Sequence, residues 1–171
     1  ASLTAFEPLW FTALKTFDPS PDAAVGRTLE AVTRRGKLLL LGFGDLTFVV
    51  HLMQGGRLKP DTGRSRRPRG GVARWRFADG RALLLTEAGT ERKAGVWLVR
   101  GDPLSQPPLD DLGPEADTVE PEALAADFAA HPMRLHTFLR DQQRLAGMGR
   151  RLANEVCHRA RLSPFAPTKS L

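Results

Sequence analysis

Apolar and polar residues alternate with a period near two over the middle of the chain, which is the mark of half-buried strands. Residues 29–33 and 37–43 read as strands joined by the basic turn Arg34-Arg35-Gly36, and Gly44-Asp45 reverses the chain into a third strand at 46–52. Turns this short predict antiparallel pairing, because a parallel pair needs a long crossover. Residues 72–77 and 81–86 form a further hairpin across Asp79-Gly80, and 95–99 read as another strand. Residues 1–17 are weakly patterned and end in the turn Asp18-Pro19-Ser20-Pro21, with one helical turn at 22–26. Residues 55–71 have the glycine, proline and arginine of a flexible segment. The inward positions are Leu39, Leu41, Phe43, Phe48, Val50, Leu52, Val72, Trp75, Phe77, Leu83, Leu85, Val96 and Leu98.

Beyond residue 100 the period changes. Residues 101–118 are polar and proline-rich, and helical spacing follows at 122–130, 135–141 and 151–160, with a further helix start after Pro164. Pro121 suits a first helical turn, where its absent N–H is not needed. The expected class is α+β, an antiparallel β-sandwich followed by a helical domain. The expected partition is a sandwich domain at 1–105, a linker at 106–118 and a helical domain at 119–171.

Charge sharpens this picture. The 171 residues carry a formal net charge of +6, which favours a polyanionic partner without naming it. Residues 59–76 hold seven cations and one carboxylate, whereas 110–127 hold carboxylates and no Lys or Arg. That asymmetry predicts a basic binding surface with the acidic segment kept away from it. A single cysteine, Cys157, excludes an internal disulfide and a cysteine-based zinc knuckle, and the four histidines show no metal-ligand spacing. No apolar run spans a bilayer and residues 1–14 lack a signal-peptide pattern, so the expected setting is cytosolic and reducing. With no tyrosine, any stacking on a base falls to Phe, Trp or an arginine plane.

The densest signal is Asp141 to Phe165, DQQRLAGMGRRLANEVCHRARLSPF. It reads as a short helix, a Gly147-Met148-Gly149 turn in which Gly149 is free to take φ > 0, and a second helix opened by Arg150 and Arg151. Cations at a helix start oppose its dipole. Either an anion satisfies both them and the free N–H groups of the first turn, or they are solvated arginines on an ordinary helical hairpin.

Three segments in order, GRTLEAVTRRGKLLLLGFGDLTFVVHLMQGGRL, FADGRALLLTEAGTERKAG and DQQRLAGMGRRLANEVCHRARLSPF, resemble the formamidopyrimidine-DNA glycosylase and endonuclease VIII superfamily. These are bacterial base-excision repair enzymes. The resemblance implies an eight-stranded sandwich, a helix-two-turn-helix domain and duplex DNA containing a damaged base or abasic site as partner. It implies a DNA glycosylase with AP lyase activity, in which a flipped base is released by attack of an N-terminal proline amine. It further implies a monomer acting on the bacterial nucleoid in the cytoplasm.

Carried onto this chain, the resemblance implies a set of DNA-binding positions. Lys37 of the RRGK string reaches a phosphate, while Arg34 and Arg35 add positive field. Gln54, in HLMQGGR, enters the gap left by the flipped nucleotide, and Arg57 either serves the fold or contacts the backbone. Arg92 and Lys93 match the loop that holds the opposite strand, but Ala94 stands where a wedging phenylalanine is found. Gly149 and Arg150 bind phosphates, with arginine in place of the usual asparagine. His136 stands where lysine is common, and Leu152 replaces a common tyrosine. His51, in an apolar register, reads as a hydrogen-bonded structural residue.

The chain begins Ala1-Ser2-Leu3 and stops at Ser170-Leu171, so no catalytic residue and no cofactor site is assigned within it. The Pro-Glu start and the zinc or zincless finger are expected to lie outside this sequence. Residues 1–171 alone are then expected to be inactive. The alternative is a silent DNA-binding relative that lacks the nucleophile, and a basic RNA- or ribosome-associated module is the rival outside DNA.

Overall fold

A computed structural model describes all 171 residues. Its strands are β1 (Leu3–Pro8), β2 (Ala31–Arg35), β3 (Leu38–Phe43), β4 (Leu46–His51), β5 (Gly56–Pro60), β6 (Gly71–Phe77), β7 (Ala82–Glu87) and β8 (Gly95–Arg100). Its helices are α1 (Pro121–Ala130), α2 (Leu135–Arg140) and α3 (Arg150–Ala160). The strands make two four-stranded sheets, ordered β1-β6-β7-β5 and β2-β3-β4-β8. The α+β class and the eight-stranded sandwich expected from the sequence are what is found.

The chain divides into two compact units, one of residues Ala1–Arg34 with Leu38–Pro108, the other of Arg35–Lys37 with Leu109–Leu171. Thus the turn between β2 and β3 packs with the helical unit although it is flanked by sandwich strands.

In the first unit each hairpin follows from its turn. Gly44 (φ 69°) and Gly80 (φ 79°) occupy left-handed positions, between β3 and β4 and between β6 and β7. Alternation then places one face of each sheet inward, and every inward position named from the sequence joins a single core cluster. Its centre is aromatic. Phe6 and Trp75, from one sheet, meet Phe48 of the other at centroid separations of 5.1 and 5.8 Å. Phe43 meets Phe48 edge-on at 5.6 Å. Such pairs add about 0.5–1.5 kcal/mol each beyond simple area burial.

Three expectations need correction. Residues 3–8, weakly patterned in sequence, form β1, whose Phe6 lies in the aromatic cluster. Part of the segment read as flexible is β5, paired with β7 from Gly56↔Glu87 to Pro60↔Leu83. Its strand character comes from that pairing and from Leu58 packing on the core, not from local propensity. After Pro164 there is no regular helix but a short 3-10 turn at Thr168–Ser170.

The helical unit has its own core of Leu135, Leu139, Leu145, Met148, Ala153 and Cys157. Cys157 is buried there, and burial pushes its thiol pKa up. No helix of the structure is long and apolar enough to cross a membrane.

Trp75 is fully buried and its indole N–H has no partner. Trp75→Ala is expected to destabilise the protein by about 3–5 kcal/mol. Trp75→Phe should cost only roughly 1–2 kcal/mol, because it also removes an unsatisfied buried donor. Urea unfolding of the two variants checks this, and equal losses would refute it.

Candidate nucleic-acid interface

In the helical unit the site starts from one carboxylate. Glu115 Oε1 accepts the Gly36 backbone N–H at 2.5 Å and the Arg35 guanidinium at 2.8 Å. Arg35 also donates to the carbonyls of Leu112 (3.1 Å) and Gly113 (2.6 Å). Gly36 adopts φ 55°, and a Cβ there would sit 3.4 Å from both Ala146 Cβ and Leu112 Cδ1. The basic turn is therefore plugged into the Leu112–Glu115 stretch and the glycine turn at 146–149.

Arg35 was expected to lend positive field to a bound phosphate. Instead its charge is neutralised by Glu115 and its N–H groups are spent on the fold. The acidic segment, expected to stand apart from basic groups, provides this partner. Neither fact is readable locally, since the two residues lie 80 positions apart.

Anchoring Arg35 and Gly36 delivers Lys37. Its ammonium lies 3.6 Å from where a Cβ on Gly149 would be. Burial first, and the charge of Arg140 second, pull the Lys37 pKa below the usual lysine value. Lys37, Arg140 and the start of α3 thus form a cluster of like sign. Helix α3 opens at Arg150 with Gly149 as N-cap and no side-chain cap. The N-terminal end of an 11-residue helix, uncapped and beside an ammonium, favours an anion.

The turn before α3 is braced by Gln142. Its side-chain amide donates to the carbonyls of Arg140 and Met148, both at 2.8 Å, and its oxygen accepts Gly147 N–H at 3.1 Å. Gly147 takes φ 92°. Gly149, free to take a left-handed conformation, is instead extended at φ −113°. The absence of a side chain there leaves the approach to Lys37 open.

His136 lines a hollow of about 240 Å³ with Arg134, Thr137, Asn154, Pro164 and Phe165. Its Nε2 is buried without a partner. Arg150 is exposed, as are Leu152 and Glu155, and Glu155 pairs with Arg159 at 2.8 Å.

The sandwich unit gathers a second set of the named residues. Gln54 is exposed in the tight turn between β4 and β5, next to Met53 in a left-handed conformation (φ 53°). His51 holds that turn through Nδ1, which accepts Met53 N–H at 3.2 Å, in keeping with its structural reading. A Cβ on Gly55 would touch Glu87 Cγ at 3.4 Å. Glu87 Oε2 in turn accepts the N–H groups of Lys93 (2.6 Å) and Ala94 (2.7 Å). One buried carboxylate therefore ties the Gln54 turn to the Arg92-Lys93 loop. A Glu closing a strand beside a glycine-rich loop was the only sequence signal for it.

Arg92 does not project freely. Its guanidinium lies 4.3 Å from the Trp10 ring centroid and donates to the Gly71 carbonyl at 3.2 Å. Arg57 is exposed and donates to the neighbouring Gly56 carbonyl, and Lys93 pairs with Glu91 at 3.3 Å. Arg34 is exposed near the end of β2. Ala94 is fully buried and cannot act as a wedge. Arg140, Gln142, Glu87 and Glu115 are the contributors that sequence reading missed.

Comparison with known proteins adds an independent line. Residues 5–97 match the family model described as the formamidopyrimidine-DNA glycosylase N-terminal domain. A formamidopyrimidine-DNA glycosylase of Chloroflexus aurantiacus is 35% identical over 165 residues, covering 90% of this chain and 56% of that protein. One from Bacillus cereus is 31% identical over 150 residues, covering 85% and 53% respectively. The chain spans about half the length of the curated relatives it matches. Among solved structures, wild-type Lactococcus lactis Fpg (MutM) complexed with DNA containing N7-benzyl-Fapy-dG superposes with a TM-score of 0.88 at 21% identity. That match covers 99% of this chain and 64% of the other. A complex of the same bacterium's Fpg with abasic-site DNA gives 0.86 at 21% identity. At these identities the structural likeness speaks for the fold.

The two glycines of the turn are expected to respond differently to alanine. Gly147→Ala should cost at least about 1 kcal/mol, because its left-handed backbone strains any side chain. Gly149→Ala should change stability by no more than about 0.5 kcal/mol, since its backbone is extended and its Cβ meets Lys37 at ordinary contact distance. Chemical denaturation of both variants decides it, and the reverse ranking would refute the assignment.

Proposed function

Since the chain belongs to the formamidopyrimidine-DNA glycosylase family, we propose that the protein it represents excises oxidised or ring-opened bases from duplex DNA in base-excision repair, with associated AP lyase cleavage. The observation that carries this reading is the cluster of Lys37, Arg140 and Gly149 at the uncapped start of α3. An ammonium whose pKa is lowered by burial and a neighbouring cation regains stability when an anion arrives. A DNA phosphate is that anion, and the free N–H groups of the first helical turn are donors of the right polarity.

The remaining named residues take complementary roles. Arg150 adds a second cation to the phosphate, and a guanidinium in place of an asparagine amide reaches farther. Gln54, exposed on a turn fixed by His51 and Glu87, fills space vacated by the flipped nucleotide. Arg57 and Lys93 are exposed cations that can turn toward the backbone, Arg34 adds exposed positive charge at the end of β2, and His136 lines the hollow beside Arg134 and Asn154. Arg92, held against Trp10, stiffens its loop and presents the remaining guanidinium edge. Base release and strand cleavage require an amine that attacks C1′ of the sugar, forms a Schiff base as the base departs and allows elimination of the 3′ phosphate, with the residues above supplying grip and position.

Two experiments test the reading. Arg150→Ala should weaken binding to damaged and undamaged duplex alike and lower the slope of log affinity against log salt by roughly 0.9. Its melting temperature should hardly change, because a cation at a helix start gains nothing from the dipole. An unchanged slope with a large fall in melting temperature would make Arg150 structural. Separately, borohydride should trap the full-length encoded protein on abasic-site duplex as a reduced Schiff base. Absence of any trapped species across a panel of oxidised and abasic substrates would favour a silent DNA-binding relative.

A further inference from the structure

The segment between β5 and β6 contains the strongest charge imbalance in the chain, and the proposed chemistry leaves most of it unused. Of the seven cations from Lys59 to Arg76, three are engaged within the sandwich unit. Arg74 is buried and donates to Asp61 (2.7 Å), Glu7 (2.9 Å) and the Ser65 carbonyl (2.5 Å). Arg76 pairs with Glu7 at 3.1 Å, and Arg64 donates to the Gly80 carbonyl at 2.5 Å. Lys59, Arg66, Arg67 and Arg69 are exposed and their side chains make no bond within the chain.

The backbone carrying those free cations is fastened on both sides. At its start, Asp61 accepts Arg64 N–H at 3.1 Å and Arg74 holds the Ser65 carbonyl. At its end, Gly71 N–H donates to Pro68 (2.9 Å) and Glu87 N–H donates to Gly70 (2.8 Å). Gly70 is left-handed at φ 70°, and a Cβ there would lie 2.8 Å from the Glu87 carbonyl. The backbone that carries these cations is thus held at both ends, which lowers the ordering cost of binding. Lys59 and Arg69 also face a hollow of about 630 Å³ shared with Gly70, Thr86 and Arg92. The one acidic residue lining it, Glu87, has an oxygen committed to two backbone amides.

We propose that Lys59, Arg66, Arg67 and Arg69 form a second duplex-backbone contact, binding DNA phosphates in addition to those held at the start of α3. The proposal rests on the DNA reading above and extends it. Residues 59–71 contain no aromatic side chain, so the segment has no platform for stacking the bases of a single strand. They also contain no apolar side chain apart from Pro60 and Pro68, so nothing inserts into a lipid surface. Closely spaced phosphates on a duplex match this array of cations without any base readout.

The test uses the full chain carrying Arg66→Ala, Arg67→Ala and Arg69→Ala together, with the matching triple lysine variant as control. Affinity for damaged and undamaged duplex is measured across a salt series. The alanine variant should lose roughly 2.7 units of salt slope, at 0.9 per phosphate contact, whereas the lysine variant should keep most of it. Both should melt near wild type, since the substituted side chains are exposed and unpaired. An unchanged slope in a folded alanine variant overturns the proposal, and so does a loss confined to single-stranded RNA or anionic phosphatidylserine vesicles. If Arg150→Ala leaves the slope unchanged while the triple variant lowers it, the α3 reading fails and this one stands. If wild type shows no salt-dependent duplex binding, both fail.

Discussion

A single carboxylate oxygen organises the candidate phosphate site. Glu115 Oε1 accepts the guanidinium of Arg35, the last residue of β2, and the backbone N–H of Gly36 just after it, and the position of Lys37 follows from that grip. Both partners are largely shielded from water, with side-chain exposures of 23% for Arg35 and 20% for Glu115. Removing one member of such a pair leaves the other desolvated and unpaired, which costs more than the pair itself contributes. Arg35, two residues before Lys37, therefore has a structural task. Its positive charge is cancelled at the point where a free cation would compete with Lys37 for the ligand.

Cations in this protein divide into two populations by the company they keep. Arg35, Arg74 and Arg92 are packed against carboxylates, carbonyls or an indole face and hold loops in place. Arg66, Arg67 and Arg69 of the β5–β6 segment, with Arg150, lack such partners and are exposed, and Lys37 lies beside the start of α3. Composition counts both populations alike. Net charge is thus a poor guide to which side chains are left free to meet a ligand.

The same distinction explains what the sequence made legible. The sandwich core was readable because alternation is a local signal, and all of its named positions pack together. Strand β5 was hidden because glycine, lysine and proline conceal a strand that exists through pairing with β7. At the site, Lys37, Gly149 and Arg150 stood out through their motif strings. Their supports did not, because Glu115 and Glu87 act on residues brought near by folding. The left-handed conformation that Gly149 was free to take falls to Gly147 for a related reason. Either glycine could take it, and the Gln142 side chain, by accepting from Gly147, accompanies the choice of the first.

The way the sheets end has a consequence for association between copies of the chain. Open strand edges invite intermolecular pairing, and each edge here is blunted differently. Along β8, the segment before it bonds to the edge, with Lys15 N–H donating to Val96, Val96 N–H to Ala13 and Leu98 N–H to the Thr16 hydroxyl. Strand β1 ends in Pro8, and β5 alternates Arg57 and Lys59 before Pro60, so both carry a residue without an N–H. Strand β2 is short and ends in the long polar side chains of Arg34 and Arg35, features that blunt an edge. The cations of β5 and the prolines of β1 and β5 thereby guard these edges against aggregation.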